Sequence, residues 1–213
     1  MTTVAVLGVG RVGSAVARTA LRAGFDVRVA GSGPAEDIAL IAEIVIPGAV
    51  AMTTADAVRD ADIVIVAVPL HKHHSVDPAP LAGKVVIDAM NWWTPVDGES
   101  EEFEHDDTRT SEVVAQHFIG ARLVKTLNHI GYHDLEEHGV DVGAPGRRAL
   151  AVASDDEDAA RLVATMIDRF GFDAVYAGPL RAGRAFGPGT HIFNSILTAG
   201  ELEAALPAHE VAL

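Results

Sequence analysis

Val4-Ala5-Val6-Leu7 runs directly into Gly8-Val9-Gly10-Arg11-Val12-Gly13, and apolar residues from Ala15 to Ala23 follow with helical spacing. A buried strand, a glycine turn and a helix in that order define the opening unit of a parallel sheet with helices packed on it. Each glycine has a separate task. Gly8 permits the tight turn, Gly10 lets the main chain approach a pyrophosphate, and Gly13 lets the helix pack closely on the strand. The start of the helix then offers N–H groups and a positive dipole end to an anion. This arrangement points to a dinucleotide held by the segment Gly8 to Gly13, with Arg11 as a candidate charge beside it.

A chain of 213 residues has room for a full core. The formal net charge of -14 argues against nucleic acid and anionic membrane surfaces as partners, so an anionic cofactor must be held by local arginines and helix ends. With no cysteine, neither disulfides nor thiolate chemistry is available. No basic leader precedes the first strand and no apolar run reaches membrane-spanning length, so a soluble, cytoplasmic protein is expected.

Phe25 to Ala30 alternates as a second strand and ends at Gly31-Ser32-Gly33-Pro34. An acid at this strand end favours NAD by accepting from the adenosine ribose hydroxyls, whereas small polar or basic residues leave room for the 2′-phosphate of NADP. Gly31 and Ser32 stand there without an acid, so NADP is favoured, with Ser32 as phosphate ligand and a helix beginning near Pro34 behind it. Serine in that place also reads as a plain helix cap.

Further along, Ile38 to Ile46 is an apolar helix, Ala49 to Met52 a short strand, and Thr53 or Thr54 the cap of a brief helix through Arg59. Ile63 to Val68 is a continuous apolar run, as expected of a central parallel strand, and Val68, Pro69 and Leu70 at its carboxyl end should border the cofactor. His71, His73 and His74 fit no usual metal-ligand spacing and read as a solvated loop. Lys84 to Asp88 is the next strand, ending in Ala89-Met90-Asn91-Trp92-Trp93. Asn91 can pair with a nicotinamide carboxamide or ribose, and Trp92 and Trp93 offer either a stacking wall for a planar ring or simple loop packing. Thr108 to Phe118 reads as an amphipathic helix after an acidic surface loop, and Arg122 to Leu127 as a third strand aimed at the same crevice. Asn128 is a substrate-side candidate at its end, while His129 and His133 are candidate proton donors that also read as structural histidines.

From Arg147 the pattern is a smaller unit: strand Ala149 to Ala153, helix Asp155 to Phe170, strand Phe172 to Tyr176, and a last helix from His191 to Leu206. The expected architecture is a Rossmann-type, doubly wound, mainly parallel α/β sheet. Residues 1–145 form the dinucleotide-binding part and 146–213 a C-terminal extension on the same body.

With these strand ends in view, the chain resembles the F420-dependent NADP oxidoreductase family. The resemblance rests on Val6 to Gly13, Gly31-Ser32, Val68-Pro69, Val86-Ile87-Asp88-Ala89-Met90-Asn91, Val124-Lys125-Thr126-Leu127-Asn128 and Ala177-Gly178-Pro179-Leu180. It implies hydride transfer between NADPH and coenzyme F420 or a flavin-like acceptor, and a homodimer. It also implies contacts of Val9 to Val12 with the pyrophosphate and of Ser32 with the 2′-phosphate. Pro69, Leu70 and Ala89 to Asn91 would lie on the nicotinamide side. Family members usually carry arginine after the Gly-Ser pair; here Gly33 stands instead, followed by Glu36 and Asp37, which should weaken NADP binding. Arg181 and Arg184 are candidates for an acceptor's anionic tail. Hydride transfer between two carriers needs no catalytic triad or metal. The alternatives are an NADPH-dependent reductase of a small carbonyl or imine, and a non-enzymatic NADP(H)-binding redox sensor.

Overall fold

An eight-stranded sheet in the order β3-β2-β1-β4-β5-β6-β7-β8 forms the centre of the computed structural model, which describes residues 1–92, 103 and 110–207. Its strands are β1 (Thr3–Leu7), β2 (Asp26–Ala30), β3 (Val50–Ala51), β4 (Ile63–Val66), β5 (Val85–Asp88), β6 (Arg122–Lys125), β7 (Ala149–Ala153) and β8 (Asp173–Gly178). The helices are α1 (Arg11–Arg22), α2 (Glu36–Val45), α3 (Thr54–Arg59), α4 (Thr110–His117), α5 (Tyr132–Glu137), α6 (Glu157–Arg169) and α7 (Ala199–Ala205). Every residue of β1, β4, β5 and β7 is buried, as largely apolar strands covered on both faces should be, with Thr3 and Asp88 their only polar members. The doubly wound, mainly parallel fold expected from the sequence is the one observed, and the strands of residues 146–213 join the same sheet.

Pairing is parallel throughout except at β6 and β7, which run antiparallel with Lys125 opposite Ala153 as the paired position. Side chains close this short seam. The Ser154 hydroxyl donates to Leu123 O at 2.7 Å, the Thr126 hydroxyl donates to Ala151 O at 2.7 Å, and Ala151 N–H donates to the His129 ring at 3.0 Å. Three buried polar side chains thus satisfy main-chain groups that a longer ladder would have paired.

α1 packs its small residues, Gly13, Ala15, Val16, Ala17 and Ala20, onto the sheet. Its outer side is held to α5 by Arg18, whose guanidinium donates to both oxygens of Glu136 at 2.7 and 2.8 Å. α5 was not expected from the sequence. It has six residues and its cap, Gly131, supplies no side-chain bond, so periodicity and capping gave no signal.

The C-terminal helix is shorter than expected. His191 to Leu197 is irregular because Asn194 adopts φ 59 and its N–H donates to His129 O at 2.9 Å, which takes the chain off a helical path. α7 begins only after Thr198, whose N–H and hydroxyl both donate to the Glu201 carboxylate in a capping box. Among the described residues, no helix is long and apolar enough to cross a membrane.

Candidate dinucleotide crevice

The sheet reverses its strand order beside β1, whose neighbours are β2 and β4, so the carboxyl ends of β1 and β4 flank a crevice. The glycine turn lies there. Gly8 has φ 107, and a Cβ on it would stand 2.7 Å from Ala67 O. A Cβ on Gly13 would fall 1.9 Å from Gly8 O, so only glycine lets α1 start against the turn. A Cβ on Gly10 meets nothing within 4 Å: its bareness answers no need of the fold and leaves space for a ligand. Gly10 is also the N-cap of α1 and has no side-chain cap, so the first N–H groups of the helix face outward unclaimed by the helix itself. Val9 is half-buried, while Arg11 and Val12 are exposed at the rim.

At the end of β2, Gly31 lies under Ile38, whose Cγ2 would be 2.9 Å from an added Cβ, and Ser32 is exposed. The helix behind them starts at Glu36 with Ala35 as cap, two residues later than expected. The Asp37 carboxylate reaches back so that Oδ2 is 2.5 Å from where a Gly33 Cβ would be. The position where the family resemblance expects an arginine is therefore glycine with a carboxylate above it.

Beyond β4, Val68 is half-buried and Pro69 exposed, but Leu70 is fully buried in the core, so its side chain does not border the crevice as expected. Leu70–Ser75 forms a 3-10 helix rather than a solvated loop. His71 and His74 are exposed in it, whereas His73 is completely buried, its Nδ1 2.8 Å from Leu70 O and its ring against those of His74 and His117. Among the described residues, no group of three or more His, Asp or Glu side chains could hold a metal.

At the end of β5 the main chain is pinned by a buried ion pair. Asp88 accepts from Met90 N–H at 3.0 Å and from the Lys125 ammonium at 3.1 Å, and Lys125 also donates to Met90 O. Both side chains are at most 2% exposed. Burial pushes the Lys125 ammonium below the usual lysine range, while Asp88 opposes the shift. Both polar groups of the Met90 residue are thereby clamped, which fixes where Asn91 emerges. The side chains of Ala89 and Met90 themselves point into the core. Trp92 does too: it is 9% exposed and stacked on Phe103 at 5.0 Å, so it packs the loop and does not wall the crevice. Trp93 lies outside the described residues.

Asn91, half-buried, faces Asn128 across the β5 and β6 ends. Asn91 Nδ2 donates to Asn128 O at 2.6 Å, and Asn128 Nδ2 donates to Asn91 Oδ1 at 3.1 Å and to Phe186 O at 3.3 Å. Asn128 follows Leu127, a buried leucine held at φ 63, a conformation that costs about 1–3 kcal/mol and occurs where a site demands it. His129 is 2% exposed, and burial, then the charges of Arg148 and Lys125, push its pKa down to about 3. A ring held neutral in this way fits the structural reading of His129 and not that of a proton donor. His133 is exposed on α5, stacked against Tyr132.

Over this end of the site lies the 3-10 helix Leu180–Phe186. Gly183 rides directly on Lys125, with space for no Cβ: one would stand 2.9 Å from Lys125 Cγ. Arg181 and Arg184 are exposed on the same segment whose Phe186 carbonyl takes the Asn128 amide. Sequence reasoning missed the Asp88–Lys125 clamp. Its signal was a charged residue, Asp88 and Lys125, closing each of two adjacent strands.

Residues 3–92 match the model of the family described as NADP oxidoreductase, coenzyme F420-dependent. No curated protein matches the chain. The hypothetical protein SMa0349 from Sinorhizobium meliloti is a similar solved structure, with 28% identity and a TM-score of 0.79, covering 93% of this chain and 96% of that one. A protein from Arthrobacter sp. FB24 to which an F420-dependent NADP-reductase role has been attributed superposes with a TM-score of 0.69 at 23% identity, covering 87% and 88%. An imine reductase from Pseudomonas sp. gives 0.55 at 20% identity and covers 84% of this chain but only 56% of its own. These likenesses share the Rossmann fold, and the family match over residues 3–92 bears out the resemblance read from the sequence and the class of NADP-dependent oxidoreductase.

Proposed function

With residues 3–92 matching the coenzyme F420-dependent NADP oxidoreductases, we propose that this chain moves hydride between NADPH and coenzyme F420 or a closely related flavin-like acceptor. The observation that carries the proposal is the make-up of the crevice end: fixed amides and a neutral imidazole, with the nearby ion pair already spent on the main chain. Hydride passing between two carrier rings needs them held face to face in a dry site and needs little else from the protein. Reduction of a small carbonyl or imine calls in addition for a positioned proton donor, and His129 is locked against that role.

In this reading the Gly8 to Gly13 turn and the bare start of α1 take the pyrophosphate. Ser32 takes the 2′-phosphate, weakened by Asp37 beside Gly33. NADPH, when bound, supplies the hydride, and Asn91 orients its carboxamide while Val68 and Pro69 border the ring. Asn128 and the exposed Arg181 and Arg184 serve the acceptor side, the arginines meeting its anionic tail.

The test is anaerobic mixing of the purified protein with NADPH and oxidised F420, following the visible absorbance of the deazaflavin, with NADH and FMN in parallel. Bleaching that requires both NADPH and F420 is expected. Turnover of a small carbonyl or imine without any deazaflavin, or NADPH binding with no hydride transfer in any arm, would overturn the proposal in favour of a small-molecule reductase or a redox sensor.

A further inference from the structure

We propose that the outward face of α2 is the surface on which a second copy of this chain docks, giving a twofold-symmetric dimer centred on Leu40, Ile41, Ile44 and Val45. The dimer does not depend on the chemistry of the crevice, so it stands or falls apart from the proposed function.

α2 carries two apolar stripes where a surface helix carries one. Ile38 and Ala42, followed by Ile46 at the C-cap, lie one turn apart and are buried against the sheet. Leu40 and Ile44 form a second line of the same spacing, 66% and 68% exposed, with Ile41 and Val45 beside them at 36% and 41%. Among the described residues, no other helix exposes more than one large aliphatic side chain. Charge is confined to the margins of this face. Glu36 and Glu43 stand seven residues apart on one flank, Asp37 closes the stripe at its N-terminal end, and all three are exposed. α2 has no basic residue.

The chain itself does not supply the cover. α2 packs beside β3 at one edge of the sheet, on the face whose core holds Val4, Val6, Val27 and Val29. Only six residues follow Pro207, and they come after α7, which packs on β7 and β8 at the other edge. The two edges are about 33 Å apart at roughly 4.8 Å per strand, whereas six extended residues span at most about 21 Å. The segment between Trp92 and Thr110 leaves and rejoins the core on the opposite face, where Trp92, Phe103 and Val114 are buried together.

Area and composition select a like partner. The four side chains leave on the order of 400 Å² of aliphatic surface in water, the size of the largest patch on a typical monomer, which is often functional. A stable dimer buries about 800 Å² per copy, roughly two-thirds of it apolar in homodimers, so the stripe supplies most of the apolar centre such an interface needs. Interfaces between unlike proteins are anchored by Tyr, Trp, Met and Arg, whereas Leu, Ile and Val alone are the make-up of a core cut in half, as in obligate homodimers. Antiparallel packing of α2 about a twofold axis sets Leu40 of one protomer against Ile44 of its partner, and the reverse, with the acids left at the rim in water.

Sedimentation equilibrium of the full chain tests the assignment, comparing wild type with Leu40→Glu combined with Ile44→Glu. Wild type should be a dimer at micromolar concentration. The double variant should be a monomer with the helical circular dichroism of wild type, because neither side chain belongs to the core. Ile119→Glu, which alters an isoleucine outside α2 that is 77% exposed, should leave the dimer intact. The milder Ile44→Ala should raise the Kd at least tenfold, since each truncation is felt twice across the axis, and it keeps the test decisive if the double variant fails to fold. Raising NaCl from about 50 to about 500 mM should tighten the wild-type dimer severalfold by screening the acidic flanks from one another. A wild-type chain that stays monomeric would assign the face to some other protein and overturn the proposal. A dimer that survives the substitutions on α2, is lost equally in Ile119→Glu, or weakens in salt would overturn it as well.

Discussion

Gly13 and Gly10 are separated by one turn of chain and by very different constraints. A methyl group on Gly13 collides with Gly8 O, so Gly13→Ala is expected to unsettle the turn and lower stability along with cofactor affinity. The neighbouring acid makes a second residue-scale case. Asp37 leans over Gly33 beside Ser32, so Asp37→Asn should tighten NADPH severalfold while leaving NADH nearly unchanged. Equal effects on both dinucleotides in a titration would remove Asp37 from the 2′-phosphate site. Much of this was legible in the residues: the glycine spacing, the missing acid after β2 and the departure at Gly33 all read directly from the chain. The fates of Leu70, Trp92 and His73 did not, because an apolar or aromatic residue at a strand end serves the core or the crevice equally well until packing decides. His129 shows the same limit: histidine spacing carries no information about a main-chain N–H 22 residues away.

At the scale of elements, the ends of β5 and β6 act together. The Asp88–Lys125 pair ties two strands and pins the turn that delivers Asn91. Lys125→Met leaves Asp88 buried beside an empty place and is expected to cost about 3–5 kcal/mol, the usual result of orphaning one partner. The double variant Asp88→Asn with Lys125→Met should recover most of that loss, and urea unfolding of the three proteins measures it. No recovery would mean that the pair holds the turn in a way neutral groups cannot. Strands were readable as apolar runs, and α3 from a cap that the structure shows in use, Thr53 accepting from Asp56 N–H. α5 escaped because its stability comes from docking on α1 through Glu136, a tertiary contact.

Across the whole molecule, the antiparallel β6–β7 seam joins the dinucleotide half to the C-terminal unit and places the Leu180–Phe186 helix over the crevice. The His129 imidazole bridges that seam, so pH should act on the fold as a whole. The folded ring takes a proton only near pH 3, whereas the unfolded chain takes one near 6.5. Between these values the unfolded state binds more protons. The stability due to a neutral His129 is therefore present above pH 6.5 and lost as pH falls toward 3, with a slope of at most about 1.4 kcal/mol per pH unit. His129→Gln should flatten that part of the profile in denaturant titrations, and a profile identical to wild type would show that the ring ionises in the fold.

The most direct test of the crevice is a fluorescence titration of NADPH and NADH into wild type and Gly10→Ala, with thermal unfolding of both proteins alongside. A Cβ at Gly10 meets no protein atom, so the two proteins should melt together while the variant loses at least tenfold in NADPH affinity to a clash with the pyrophosphate. Wild-type affinity for NADPH in a folded Gly10→Ala protein would contradict the account, because the dinucleotide would then lie somewhere other than the turn.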